Sequence, residues 1–258
     1  MMPYCMVGPY ILMYHSIADD SYGHYTVSVD AFREQISWFS DYGFEIISLS
    51  FLLQAIQTHD HGILNKKVVI TFDDGYADFL ANALPILLDH KATATVFLVT
   101  DMLGGTASWS ESGSHVRLMS ESDVRAIKAQ GISLGSHTAT HANLIRADYK
   151  DLQRQLRDSH DTLTHLGESF YALAYPWGQW SPMVVEAVKS SGYACAAAVG
   201  GQMRLSAVDP YLLPRVSMRR DTDLKHFKSL LTTTRAEIEI RRRCRSVLRT
   251  VFGASKFQ

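Results

Sequence analysis

Two adjacent carboxylates, Asp73 and Asp74, stand just past the apolar run Val68, Val69, Ile70, inside the stretch TFDDGY from Thr71 to Tyr76. Neighbouring side chains of a strand face opposite ways, but at a strand end the chain turns, so consecutive acids can be aimed into one cleft in different roles. One can hold a metal while the other moves a proton. Taken alone, the run also reads as a strand followed by a solvated Asp-Asp-Gly turn, because Asp and Gly are ordinary turn residues. His137 and His141, in SHTATHANL, are four apart and share a face if the chain makes one helical turn there. Two imidazoles on one face are half a metal site, and Asp74 as a third ligand makes a His, His, carboxylate set with room left for water. The HExxH arrangement of zinc proteases is excluded, since Thr138 occupies the place of its glutamate.

Such residues need a frame. Apolar, β-rich runs alternate with helical patterns almost from end to end: Ile11 to Tyr14, Phe44 to Leu49, Val68 to Phe72, Thr95 to Val99, Ile132 to Gly135, Ala172 to Tyr175, Ala194 to Val199 and Arg215 to Met218. That rhythm predicts βα units and a mainly parallel sheet. Between the runs, Asp30 is expected to cap a helix with Phe32, Ile36 and Phe39 on one face and Gly43 at its exit. Ser120 and Asp123 make a capping-box-like start, and Asp148 to Leu166 and Ser181 to Ser191 are further helices. Eight strands can close a barrel or nearly so, whereas a doubly wound sheet wants a glycine-rich first turn that is missing. The expected fold is therefore α/β, a distorted, incomplete (β/α) barrel in one domain over residues 1–258. Its motif-bearing core would span about 10–220, with a basic helical extension at about 221–258. His15, Asp73, Asp74, His137 and the AYPWG run at Ala174 to Gly178 all fall at or just past C-terminal strand ends. In an α/β barrel those ends converge on the face where active sites form.

Composition narrows the partners. With 258 residues and 47% hydrophobic content the chain can bury a large core, and 25 Lys plus Arg against 26 Asp plus Glu give no global field for nucleic acid. Cys5, Cys195 and Cys244 are far apart and without CxxC spacing, so neither a disulfide framework nor a thiolate metal site is indicated. The first fourteen residues lack the basic segment and cleavage site of a secretory signal, and no other stretch is long and apolar enough to span a bilayer. A soluble cytoplasmic protein is the expectation. Arg241, Arg242, Arg243, Arg245 and Arg249 run alongside Ile238, Cys244, Leu248, Val251 and Phe252 at near-helical spacing. This segment reads as a peripheral helix with a solvated basic face, or as a contact for anionic membrane lipid or a lipid-linked glycan precursor.

The longest loop, Asp101 to Met119, carries Gly104, Gly105 and Trp109. An exposed indole there would be a platform for the apolar face of a sugar ring; the alternative is a Trp that pins its own loop to the barrel. His59 and His61 lie in a helix-to-strand loop and read as a solvated turn.

Taken together, the chain resembles the polysaccharide deacetylase family, the metal-dependent carbohydrate esterases that include nodulation chitooligosaccharide deacetylases. TFDDGY resembles the family's first motif, SHTATH its second and YPWG its third, over about Tyr14 to Arg215. The resemblance implies a distorted barrel, a divalent metal, usually zinc with cobalt, nickel or manganese as alternatives, and hydrolysis of an N-acetyl group from an amino sugar of a glycan or glycolipid precursor. By motif position it makes Asp73 the general base and Asp74, His137 and His141 the metal ligands, with the backbone N–H of Trp177, after Tyr175 and Pro176, in the oxyanion hole. Thr138 would bind substrate or order the ligand loop. Two places depart from the family pattern. Ala174 stands where the third motif carries Arg, and Arg215 in LPRVSM is the candidate to replace it. The late leucine-x-histidine motif, source of the general acid, matches only Leu224, Lys225, His226, which reads as a helix start, so His15 in MYHSI is the alternative. A deformylase or amidase on a lipid-linked sugar and a non-catalytic glycan-binding module on the same fold are the rival readings.

Overall fold

The computed structural model describes residues 9–232, apart from 21–22, 110–115, 201–202 and 204. Eight parallel strands form the main sheet: β1 (Tyr10–Tyr14), β2 (Glu45–Ile46), β3 (Lys67–Phe72), β4 (Thr95–Leu98), β5 (Ser133–Ser136), β6 (Ala172–Ala174), β7 (Cys195–Val199) and β8 (Leu213–Ser217). Seven of them close a ring, in which β1 pairs with both β8 and β3 and β3 through β8 otherwise follow chain order with β2 outside it. The short β2 pairs Lys67 and Val68 at the start of β3, and β4 takes over at Thr71 and Phe72. The expected strand from Phe44 to Leu49 thus shrinks to two residues, because Ser48 caps the next helix by accepting from Phe51 N–H and Leu49 is already helical.

Strand alternation sorts the barrel into two apolar surfaces. Ile11, Val69, Phe97, Ala172, Ala174, Cys195, Ala197 and Leu213 share the inner cluster, which also takes in Leu52, Leu53 and Ile56 of helix α2 (Leu49–Gln57). Ala172, Cys195 and Leu213 begin their strands, and α2 packs into the same inner cluster. The outward set, Leu12, Tyr14, Ile70, Phe72, Val96, Leu98 and Leu134, packs under the helical shell. Both faces are apolar because both are covered, as a parallel barrel requires. Alternation continued past the strand ends carries His15, Asp73 and His137 into the barrel mouth.

The helical shell consists of α1 (Val29–Asp41), α3 (Leu84–Asp89), α4 (Glu121–Ala129), α5 (Tyr149–His165), α6 (Pro182–Ser190) and α7 (Leu224–Thr232), with α2 at the barrel end. Ser28, not Asp30, caps α1: its side chain accepts from Ala31 N–H, and Asp30 is left in the first turn. Ser120 and Asp123 make a reciprocal capping box, and Asp148 and Ser181 cap α5 and α6. The helical extension expected from about residue 221 begins as a docked element, since Phe227 of α7 is fully buried against Trp38 and Phe39 of α1. The arginine cluster from Arg241 onward lies outside the described residues. No helix among the described residues is long and apolar enough to cross a membrane.

One glycine shows how tightly the barrel is filled. A Cβ on Gly135 would collide with Phe97 Cδ1 and lie 2.6 Å from its Cε1. Phe97 is fully buried and cannot swing aside without opening the inner cluster. Gly135→Ala is expected to cost about 1–3 kcal/mol, the usual range for overpacking. A denaturant midpoint equal to that of the parent chain would show that the ring has room to move.

Candidate active site and metal centre

At the mouth of the barrel, Asp74, His137 and His141 bring one ligand atom each within 4.8 Å of the others, all three residues buried. His141 Nε2 is 3.3 Å and His137 Nε2 3.5 Å from Asp74 Oδ1. That oxygen makes no well-formed hydrogen bond among the described residues, although it is buried. A buried carboxylate oxygen without a donor is costly unless a cation completes it. His137 donates its Nδ1–H to Ala174 O at 2.8 Å, which leaves Nε2 as the lone-pair nitrogen facing the cluster. Burial, helped by the neighbouring His141, pushes the His137 pKa down to about 4, so the imidazole is neutral near neutral pH as a ligand must be. Burial alone would raise the Asp74 carboxyl, but the imidazoles of His141, His15 and His137 outweigh it and hold it well below the usual carboxylate range. The donor set of two imidazoles and a carboxylate fits zinc or another divalent transition metal.

Backbone strain gathers at this place. Four of the seven non-glycine residues with positive φ among those described belong to the three motifs: Asp74 (72°), Thr138 (67°), His141 (58°) and Trp177 (61°). Each costs about 1–3 kcal/mol and persists only where its surroundings over-determine it. For Asp74 the purpose is visible. A strand continued in extended form would send Asp74 to the outer face, whereas the left-handed step there, followed by Gly75 at φ 73°, turns its carboxylate back beside Asp73.

Asp73 is held from the far side of the chain. Arg215 of β8 donates from Nη1 to Asp73 Oδ1 at 2.6 Å and from Nη2 to Oδ2 at 2.7 Å, a two-pronged fork. The guanidinium is fully buried, also donates to Thr71 Oγ1 at 3.1 Å and to Ala198 O at 3.3 Å, and lies over the Phe97 ring. Burial alone would raise the Asp73 pKa, but the charge of Arg215 and the hydrogen bonds of its fork outweigh it and keep the carboxyl lowered. Ala174, on β6, has no side chain beyond Cβ with which to reach Asp73.

These groups open into a cleft of about 230 Å³ whose lining includes His15, Asp73, Asp74, His137, His141, Trp109, Tyr175 and Trp177. His15 lies on its wall with the ring stacked on Tyr25 at 4.6 Å. Tyr175 is buried and donates its hydroxyl to Tyr211 O at 3.0 Å, and Pro176 is buried behind the half-exposed Trp177. Thr138 is not on the wall: its hydroxyl accepts from Ala142 N–H at 3.2 Å, within the loop that joins the two histidines. Of its two expected roles, the geometry therefore fits ordering of the ligand loop. The Leu224, Lys225, His226 triplet begins α7, where His226 N–H is capped by Asp223, and takes no part in the cleft. His59 and His61 stack on each other near the surface, outside the cleft lining. Sequence reasoning missed Tyr25 and Tyr76 as cleft residues. Tyr76 was detectable, as the last residue of TFDDGY, but the segment around Tyr25 carries no periodicity that could have singled it out.

Comparison with known proteins finds deacetylases of similar sequence and fold. The chain is similar to YxkH of Bacillus subtilis, 29% identical over 189 residues, a match that covers 71% of this chain and 61% of that relative's length. It is also similar to the poly-β-1,6-N-acetyl-D-glucosamine N-deacetylase of Staphylococcus epidermidis, 23% identical over 209 residues covering 77% of this chain and 70% of the relative. Among solved structures, the deacetylase PplD of Streptococcus pyogenes, in complex with acetate, superposes with a TM-score of 0.76 at 25% identity, over 88% of this chain and 99% of that one. The polysaccharide deacetylase family profile matches residues 63–196, which include Asp73, Asp74, His137, His141 and the Ala174 to Gly178 run but neither His15 nor Arg215. With more than half its length matched by that profile and its barrel shared with a solved deacetylase, the chain belongs to the polysaccharide deacetylase family.

Proposed function

We propose that this protein is a metal-dependent hydrolase that removes the N-acetyl group from an amino sugar of a glycan, with N-acetylglucosamine polymers as the first substrate class to test. The observation that carries this reading is the pairing, in one cleft, of a buried Asp74, His137, His141 cluster with a carboxylate, Asp73, that Arg215 holds in place. Relatives named as N-acetylglucosamine deacetylases support the substrate class. Asp74, His137 and His141 would hold a divalent cation, which would supply Lewis acidity toward the acyl oxygen and lower the pKa of an attacking water. Asp73, kept ionised by Arg215, takes a proton from that water. The backbone N–H of Trp177 is assigned to the oxyanion of the tetrahedral intermediate. His15, on the cleft wall, is assigned the return of a proton to the departing amine. The complete ligand set and the retained base argue against a silent glycan-binding module.

The test is acetate release from N-acetylated oligosaccharides, with β-1,6-linked N-acetylglucosamine first. Release is expected, abolished by a chelator and restored by zinc. Formate from N-formyl sugars without acetate from any N-acetyl sugar would favour the deformylase reading. Glycan binding with neither product would overturn the enzyme reading altogether.

A further inference from the structure

The two histidines of the cluster are held by different means. His137 has the hydrogen-bonded backing usual for a metal-ligating imidazole, from Nδ1–H to Ala174 O. His141 has no such support: its Nδ1 is buried and has no hydrogen-bond partner among the described residues. Its ring is instead clasped by two indoles. Trp109 lies flat against it, centroids 4.4 Å apart and planes 9° from parallel, and Trp177 meets it edge-on at 4.8 Å and 70°.

Trp109 follows the first strand of a ribbon that is tied to the segment carrying Asp74. The strands Thr106–Ala107 and Val116–Arg117 pair as a small antiparallel ribbon. That ribbon is tied to the DDGY turn by Met119 N–H donating to Gly75 O and Ala77 N–H donating to Arg117 O, both at 2.9 Å. Tyr76, Ala107, Val116 and Leu118 form the apolar cluster on which Trp109 rests. The indole is thus anchored on rigid neighbours of one ligand, Asp74, and packed against another, His141. The face turned toward His141 is closed to a sugar.

We propose that Trp109 is a positioning residue that orients the His141 imidazole for metal ligation, doing by ring stacking what the Ala174 carbonyl does for His137 by hydrogen bonding. This assignment rests on Asp74, His137 and His141 being the ligand set, and adds to it the device that holds the ligand without a hydrogen-bonded partner. A positioning residue of this kind controls affinity for the metal, since an imidazole free to rotate must be ordered again each time the ion binds.

The test measures zinc affinity of the full chain, stripped of metal and titrated in competition with a chromophoric chelator. The variants are Trp109→Ala, Trp109→Leu, which keeps apolar bulk without a ring face, and Trp109→Phe, with Trp180→Ala as an exposed control. Zinc affinity should fall about 10-fold in the Ala and Leu variants, at the lower end of what loss of a ligand-orienting contact costs, and return to near the parent value in the Phe variant. The metal-free melting temperature of the Leu variant should stay near that of the parent. Parental affinity in Trp109→Leu, or a loss that Phe does not restore, would overturn the assignment. So would a raised KM for glycan with zinc affinity unchanged, which would make Trp109 a sugar platform. A parent chain that binds no zinc would instead remove the ligand reading itself, an outcome the titration separates from the others.

Discussion

Asp73→Asn is expected to retain a metal content near that of the parent chain while turnover falls by about 10²- to 10⁴-fold, the usual contribution of a general base. His137→Ala should lose the metal itself. The two outcomes differ because the residues face different tasks: His137 turns a free Nε2 to the cluster, whereas both oxygens of Asp73 face the Arg215 fork. Asparagine keeps one carbonyl acceptor for that fork, but it has no proton affinity to offer an attacking water. It also leaves the fully buried Arg215 without its counter-charge, so melting should be measured beside turnover to separate loss of folded protein from loss of chemistry. Metal analysis of the purified variants decides the matter. If Asp73→Asn comes out as empty as His137→Ala, Asp73 is a ligand and the base must be sought elsewhere.

Arg215→Met should leave metal binding in place and lower turnover by about 10- to 100-fold, the effect typical of losing a residue that orients one at the metal site. The methionine fills part of the space above Phe97 but strands a buried carboxylate, at a stability cost of about 3–5 kcal/mol. The pH dependence has a definite sign. Arg215 holds the Asp73 pKa down, and a base works only when ionised, so activity in the parent is lost as pH falls through that depressed value. Without the guanidinium the folded-state pKa rises, and the acid limb of the rate profile should move to higher pH. Arg215→Lys, which restores charge but not the fork, should recover the pH limb more fully than the turnover. An unmoved acid limb and parental turnover in Arg215→Met would mean that the fork is structural only.

The same pair shows what was readable before the fold was known. That Ala174 left the base without its family partner was plain in the sequence, and the LPR run marked Arg215 as a candidate because a late strand returns to the barrel there. Local signals elsewhere performed similarly. The apolar, β-rich runs located every strand of the ring, and Ser120 with Asp123 announced the start of α4. They faltered where neighbours compete. Asp30 resembled a cap, yet Ser28, two residues earlier, has the extended backbone and free hydroxyl that a cap needs. The stretch from Phe44 to Leu49 resembled a full strand, yet Ser48 turned its second half into helix.

What the sequence determined by itself is the chemistry carried within short segments: two acids at a strand end, two imidazoles four residues apart, a Pro-Trp-Gly turn. Strand alternation and a turn are local properties, so the direction of those side chains follows from a few neighbouring residues. Only the tertiary structure decided which distant groups complete them. Arg215 meets Asp73 across 142 positions, Tyr25 stacks on His15, and Trp109 comes to rest on His141. Each of these contacts depends on how the ring of seven strands closes and on the register between β1, β3 and β8. Closure is set by packing summed over the whole inner cluster, where Gly135 makes room for Phe97 and Phe97 supports Arg215, and no local pattern of residues encodes that sum.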